Sequence, residues 1–265
     1  MKLIHKILKK TLSRYFYAKL YIKTGGLFQR DRMYNKLKLS KHSDVYILKS
    51  YKNCNELFFY NLHRITRYVR NDDIEYIKKK MIDKYINDNI KLDNKSVVID
   101  VGANIGEFSL AIADKVGKII SVEPDPIAFK CLALNMHKYK NVNSVNHLLS
   151  NSNGTVDFYI SSDTADSSMI EPDSYDSKIA IQSITLDDLM KKNSIENIDL
   201  LKIEAEGAEP EVLEGAKFTL SISKNVTVDC SKERHGEDTI SQVSDILLKN
   251  SYNIIEYDHV IIGCK

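Results

Sequence analysis

The sequence is poor in the residues that announce special architectures. Proline occurs 4 times in 265 residues, which argues against long disordered linkers. Cysteine also occurs 4 times, at Cys54, Cys131, Cys230 and Cys264. None of these forms CxxC or another close pairing, so no metal site is spelled out. The wide scatter fits reduced thiols, although counting alone leaves two disulfides open. No apolar run reaches the ~20 residues that span a bilayer. Charges interrupt the first residues every few positions, so no secretory h-region is present there.

What is present is ordinary for a globular chain, with 43% hydrophobic and 28% charged residues. The net charge of +2 hides an asymmetry. Residues 1–50 carry 13 Lys/Arg against 2 Asp/Glu, a net of +11, which leaves −9 on the other 215 residues. A basic end of this kind suits an anionic surface or a solvated arm. Residues 2–16 read as an amphipathic helix. Ile4, Ile7, Leu8, Leu12, Tyr15 and Phe16 share one half; Lys2, Lys6, Lys9, Lys10 and Arg14 share the other, with Leu3 as the exception. Such a helix can pack on its own domain or lie on anionic lipid. The expectation is a cytoplasmic protein with optional peripheral contact at the inner membrane surface. No oligomeric state can be read from the pattern.

Two zones follow. Residues 1–92 form a basic, mainly helical extension, with one strand at Asp44–Lys49 and helices around Leu57–Val69 and Asp73–Tyr85. Residues 93–265 alternate short apolar runs with helical stretches, the pattern of βαβ units and a mostly parallel sheet. Strands are expected at Ser96–Val101, Lys118–Val122, Val142–Leu149, Thr155–Ser161, Lys178–Ser183, Ile198–Glu204, Val226–Cys230 and Ile254–Asp258. Helices are expected at Ile105–Lys115, Pro126–Tyr139, Thr185–Asn193, Pro210–Thr219 and Thr239–Lys249. The fold class is thus α/β, Rossmann-like, with helices on both faces of the sheet.

The central motif is an apolar strand ending in Asp100-Val101-Gly102-Ala103-Asn104-Ile105-Gly106, with a helix starting behind it. Gly102 permits a tight turn, and Gly106 lets the helix start approach a ligand and the strand. Open α/β sheets bind ligands at this edge. A dinucleotide site would carry Gly-x-Gly-x-x-Gly here. Asp100 in the first position would repel a pyrophosphate but suits an ammonium group, which S-adenosylmethionine has. Glu123 ends the next strand, 17 residues past Gly106, at a spacing suited to ribose hydroxyls. The candidate cofactor residues are therefore Asp100, Gly102, Ala103, Asn104, Gly106, Glu107, Phe108, Glu123 and Pro124. Leu149 and Ser150 are added at the adenine edge; His147 reads as structural or as a neighbour of adenine.

A third motif, Lys202-Ile203-Glu204-Ala205-Glu206-Gly207, ends another strand beside the same edge. Glu204 and Glu206 could orient or deprotonate a hydroxyl, with Lys202 as supporting charge. Glu209 and Glu211 could simply favour the positive end of the following helix. His235, in a polar loop, is a further candidate base. The catalytic candidates are thus Glu204, Glu206, Lys202 and His235.

The run Asp100–Phe108, together with Glu123-Pro124-Asp125-Pro126, Asn135, Gly154, Ser167-Ser168, Thr185–Leu189, Lys202–Glu209 and Val212–Ala216, resembles the FkbM-type methyltransferases over residues 95–258. The resemblance implies a seven-stranded methyltransferase sheet and S-adenosylmethionine as methyl donor. It also implies a hydroxyl acceptor on a sugar, glycan or other small metabolite. The family usually reads Lys-Ile-Asp-Val-Glu-Gly, and Glu204 stands in place of the Asp. Two rival readings are an NAD-type oxidoreductase and a non-catalytic domain that binds S-adenosylmethionine or docks on a membrane. A nucleic-acid acceptor is disfavoured, because residues 51–265 are net negative and no Asn/Asp-Pro-Pro-Tyr motif occurs.

Overall fold

A computed structural model describes residues 14–23, 37–50, 56–64, 74–161 and 167–265. In chain order the elements are α1 (Arg14–Lys23), β1 (Leu37–His42), β2 (Val45–Ser50), β3 (Glu56–Phe59), a 3₁₀ turn (Leu62–Arg64) and α2 (Ile74–Tyr85). Then come β4 (Val97–Val101), α3 (Glu107–Ile112), β5 (Lys118–Val122), α4 (Pro126–Met136), β6 (Val142–Val145), β7 (Leu148–Leu149), β8 (Gly154–Ile160) and β9 (Ser177–Ile184). The chain ends with α5 (Leu186–Lys192), β10 (Ile198–Ile203), α6 (Glu209–Glu214), α7 (Lys217–Ile222), β11 (Ser223–Asp229), α8 (Ile240–Lys249), β12 (Asn253–Tyr257) and β13 (Val260–Cys264).

Seven strands form one sheet in the order β12-β13-β11-β10-β4-β5-β6. Six point one way and β13 runs against them. The chain steps from β4 outward to β6 and then returns to β10 on the other side of β4. That reversal opens a crevice beyond the C-terminal ends of β4 and β10, where open α/β sheets hold ligands. Both faces of the sheet are covered. Val98, Ile119 and Leu200 belong to one buried cluster, whereas Ile99, Ile120 and Leu201 belong to the other. This is the two-residue alternation of a strand read at atomic level. The second cluster is closed by Leu186 and Leu189 of α5, Val212 and Leu213 of α6, and Val243 and Leu247 of α8. The first is closed by Phe108 and Ile112 of α3, Cys131 and Leu132 of α4, and the extension.

The extension contributes Leu39, Leu48, Leu57, Phe59, Ile77, Met81 and Tyr85 to that first cluster. Besides α1 and α2 it carries the antiparallel sheet β1-β2-β3, of which only β2 was expected. The helix expected around Leu57–Val69 is instead β3 followed by the 3₁₀ turn, with residues 65–70 outside the description. Leu57 and Phe59 are buried and Phe58 less so, a period of two that a four-residue run displays too briefly to be recognised. Most of the amphipathic run 2–16 also lies outside the described residues. Among those described, no helix is long and apolar enough to cross a membrane.

Three further expectations change. The strand expected over Val142–Leu149 splits, because Asn146 turns its amide onto the carbonyls of Glu123 and Pro124 (2.7 and 3.0 Å). Leu148-Leu149 then pairs with β9 in a separate sheet. The helix expected over Pro210–Thr219 breaks at Gly215-Ala216. There Asp187 accepts from the backbone N–H groups of Phe218 and Thr219 (2.9 and 2.8 Å) and starts a new helix. The final strand β13 is an addition. It follows a tight turn in which Asp258 and His259 both have positive φ (45° and 67°), as a two-residue hairpin requires. Cys131, Cys230 and Cys264 are free thiols.

Candidate active site

Gly102 and Glu204 meet at the crevice. Gly102 has φ +67°, and a Cβ placed there would stand 1.7 Å from the Glu204 carbonyl oxygen. The two strand ends can approach this closely only if residue 102 lacks a side chain. Gly106 is required by its backbone (φ +91°), and a Cβ there would point at the side-chain tips of Leu132 and Met136 of α4 (2.8 and 2.9 Å). The expectation that Gly106 clears space for a ligand is thereby corrected.

Beneath the turn lies a row of charges. Asp100 is fully buried; its Oδ2 accepts from Ser109 Oγ (2.7 Å) and its Oδ1 is paired with Lys202 Nζ (3.1 Å). Lys202, itself buried, also donates to the carbonyls of Val101 (3.2 Å) and Gly102 (3.0 Å) and pairs with Glu204 Oε2 (3.2 Å). Lys84, from α2, pairs with Glu204 Oε1 (3.1 Å) and with Asp229 at the end of β11. The Tyr85 ring lies beneath both ammonium groups, with centroid distances of 4.8 Å to Lys84 and 5.2 Å to Lys202, and packs edge-on to Phe108. Burial alone would raise the Glu204 carboxyl. The Lys202 and Lys84 charges outweigh it and hold Glu204 well below the usual carboxylate range. Burial likewise opposes the Lys202 ammonium, but Asp100 and Glu204 more than compensate and its affinity for the proton rises.

Above this row opens a cleft. Of the expected site residues, Gly102, Ala103, Asn104, Glu107, Phe108, Glu123, Pro124, Leu149, Lys202, Glu204 and Glu206 line it. Asp100, Gly106, Ser150 and His235 do not. The correction at Asp100 is the largest, because its carboxylate is buried away from the cleft, ion-paired with Lys202 and hydrogen-bonded to Ser109. Ser150 is buried behind the wall, with its backbone against β9 and Gly215. His235 is exposed, stands 3.1 Å from Asp173, and lines an adjoining depression that shares Ser168 and Glu206 with the cleft. His147 lines the cleft. Glu209 proves to be more than a favourable charge at a helix start. It is fully buried, and it accepts from the N–H groups of Ala205 and Gly207 and from Thr239 Oγ1, which shapes the 204–208 loop.

Glu123 accepts from the backbone N–H groups of Asn104 (2.7 Å) and Asp125 (2.8 Å). Burial, reinforced by the Asp125 charge, raises its carboxyl to about 8. Each carboxylate oxygen keeps a second lone pair, so two further donors can be accepted. Asp125 caps α4 through Ile127 and Ala128 and receives Ser167 Oγ (2.9 Å). Ser168 Oγ donates to the Glu206 carbonyl (2.8 Å). The Ser167-Ser168 pair thus straps the β8–β9 arm to both banks of the cleft.

Several lining residues were not expected: Tyr60, Arg64 and Met81 of the extension, and Phe158 of β8. Lys84 was also missed. As one lysine of a Lys-rich helix it carries no signal in sequence, since its role depends on where α2 docks.

These residues fit an adenosine-bearing cation. Val122, Leu149 and Phe158 form an apolar slot for a flat base, Glu123 has lone pairs for a ribose diol, and Glu107 and Glu204 supply negative charge along the cleft. A sheet of this order with such a cleft fits an S-adenosylmethionine-dependent methyltransferase. The chain belongs to the FkbM methyltransferase family: the profile of the methyltransferase FkbM domain matches residues 100–254. This sets aside the NAD-dependent reading.

Relatives include methyltransferase sdnD of Sordaria araneosa, 26% identical over 59% of this chain and 74% of its own. The 2-O-methyltransferase NoeI of Sinorhizobium fredii is 26% identical over 57% and 70%. The hexuronic acid methyltransferase AglP of Haloferax volcanii is 25% identical over 64% and 71%. Among solved structures, the putative transferase PH0793 of Pyrococcus horikoshii is 16% identical, with 99% and 97% of the two chains covered and a TM-score of 0.44.

Proposed function

We propose that this methyltransferase methylates a hydroxyl group on a sugar, a glycan or a related small metabolite. The observation that carries the reading is the composition of the cleft at the end of β10. Glu204, Glu206 and Ser168 line it together, groups that can orient a hydroxyl by accepting its hydrogen bond. The names of NoeI and AglP, which act on a 2-oxygen and on a hexuronic acid, point the same way.

When bound, S-adenosylmethionine supplies an electrophilic methyl group on a sulfonium. The chain's own work is alignment: the Gly102 turn and the Glu204 tip fix the two banks between which acceptor and donor meet. Alignment of reactants can supply several kcal/mol of the barrier. A hydroxyl nucleophile also benefits from a base, typically by ~10²–10⁴-fold. Glu204 is poorly suited to that role, because its carboxylate is held too acidic to take a proton readily. It acts instead as a fixed negative charge. Glu206, at the shared edge of cleft and depression, is the better candidate base. Burial and the surrounding carboxylates raise its neighbour Glu233, so that a protonated carboxyl stands beside Glu206 near neutral pH.

The test is calorimetry with S-adenosylmethionine followed by transfer of labelled methyl to glycan and lipid extracts. The expected product is an alkali-stable methyl ether in the carbohydrate fraction. Label recovered only as an alkali-labile ester, or only in protein or nucleic acid, would overturn the assignment. Cofactor binding with no transfer to any fraction would favour the non-catalytic reading.

A further inference from the structure

The charge row under the cleft alternates in sign: Asp229, Lys84, Glu204, Lys202, Asp100. Four of the five lie within the matched family segment, on the ends of three adjacent strands. The fifth, Lys84, comes from α2 in the extension. Without it, three carboxylates would share one ammonium.

Lys202 cannot orient Glu204 alone. It donates to two carbonyls and divides its charge between Asp100 and Glu204. The second Glu204 oxygen is held by Lys84. Lys84 is itself fixed by Asp229, whose other oxygen receives the N–H and Oγ of Ser231 (3.2 and 2.6 Å). The backbone follows the same tie, since Thr227 Oγ1 donates to the Tyr85 carbonyl (3.0 Å). Lys84 does not line the cleft, whereas Glu204 does.

We propose that Lys84 is a positioning residue of the methyltransferase, acting through Glu204, so that the extension completes a site whose other parts lie on the sheet. It holds the Glu204 carboxylate ionised and turned along the cleft wall, where it faces a cationic cofactor. The groups around Glu204 are Lys84 and Tyr85 of α2, Lys202 of its own strand, Asp100 of β4, Asp229 of β11 and Glu233 in the loop beyond. The proposal rests on the cleft as the methyl-donor site and is indifferent to the acceptor.

The experiment is calorimetry of the full chain with S-adenosylmethionine at neutral pH, for wild type, Lys84→Met, Lys84→Arg, Glu204→Gln and the Lys84→Met/Glu204→Gln double variant. Lys84→Met is expected to weaken binding by about tenfold, the weight of one charge-assisted hydrogen bond. Lys84→Arg restores most of the loss. In the Glu204→Gln background Lys84→Met adds little, because its effect runs through that carboxylate. Additive losses in the double variant, or a Lys84→Arg variant as weak as Lys84→Met, would reduce Lys84 to a structural contact and overturn the proposal. Thermal melts of each variant separate loss of fold from loss of affinity. Failure of every protein, wild type included, to bind S-adenosylmethionine would instead strike the cleft assignment itself.

Discussion

The Cα of Gly102 faces the carbonyl oxygen of Glu204 so closely that the ends of β4 and β10 are in backbone contact. The Gly102 turn and the Glu204 tip are therefore one mechanical unit. Gly102→Ala adds a methyl group where 1.7 Å is available and does so at φ +67°. The strained backbone alone costs about 1–3 kcal/mol, and one bank of the cleft must also move. The expected outcome is a lowered melting temperature with S-adenosylmethionine binding weakened by ~100-fold, about 2.7 kcal/mol. Binding within a factor of two of wild type would show that the contact is not needed.

Asp100 separates a structural role from a ligand role. Read from sequence, it is a partner for the cofactor's ammonium; in the fold it is the buried counter-ion of Lys202. Asp100→Asn leaves a fully buried ammonium with one carboxylate instead of two. Breaking a buried pair typically costs about 3–5 kcal/mol. Denaturant unfolding of the ligand-free protein should register that loss before any cofactor is added. A variant of unchanged stability that has lost only cofactor affinity would restore the sequence reading.

How far the sequence could be read follows from the range of the forces involved. Asp100, Gly102 and Glu123 mark their elements because strand ends and glycine turns are specified by neighbours in the chain. Strands β4, β5 and β10 were legible for the same reason: they are short, mostly apolar runs buried on both faces. What Asp100 does was not legible, because Lys202 lies 102 positions away and meets it only across paired strands. Lys84 and Arg64 were invisible on the same grounds. The hairpin turn at Asp258-His259 lacks the glycine that usually betrays such a turn, and so β13 went unread.

Glu123 predicts a pH dependence. Its carboxyl titrates near 4.5 in an ordinary setting and near 8 in the fold. Between those values the folded protein binds a proton that the unfolded chain has released. The stability this group contributes is present below about pH 4.5 and is lost as pH rises to 8. Glu233, raised to the same value by burial and surrounding carboxylates, acts in the same direction. Glu123→Gln should flatten part of this slope in denaturant titrations of the ligand-free protein between pH 5 and 8, and a slope unchanged by the substitution would refute the burial argument. If ribose hydroxyls donate to the ionised carboxylate, cofactor binding near neutral pH releases protons. Calorimetry in buffers of different ionisation enthalpy measures that release. Glu123→Ala should weaken binding by about tenfold.

The extension offers the last test. Asn135 of α4 accepts from the Phe58 N–H (2.8 Å) and donates to the carbonyls of Phe58 (2.9 Å) and Ile105 (2.7 Å), which joins β3 to the turn that opens α3. Around this bond set, Leu57, Phe59, Met81 and Tyr85 share a buried cluster with Val98, Phe108 and Ile112 of the sheet and its covering helix. A chain starting at residue 93 would expose that apolar face and lose Lys84 from the charge row. It should therefore be recovered aggregated or partly unfolded, bind the dye ANS strongly, and fail to bind S-adenosylmethionine. Asn135→Ala, a milder probe of the same junction, leaves buried backbone groups unpaired at about 1–3 kcal/mol each. It should lower the melting temperature while the cleft residues stay unaltered. A soluble, cooperatively folding 93–265 fragment with wild-type affinity would mean that the extension is an independent domain, and that the first buried cluster can close without it.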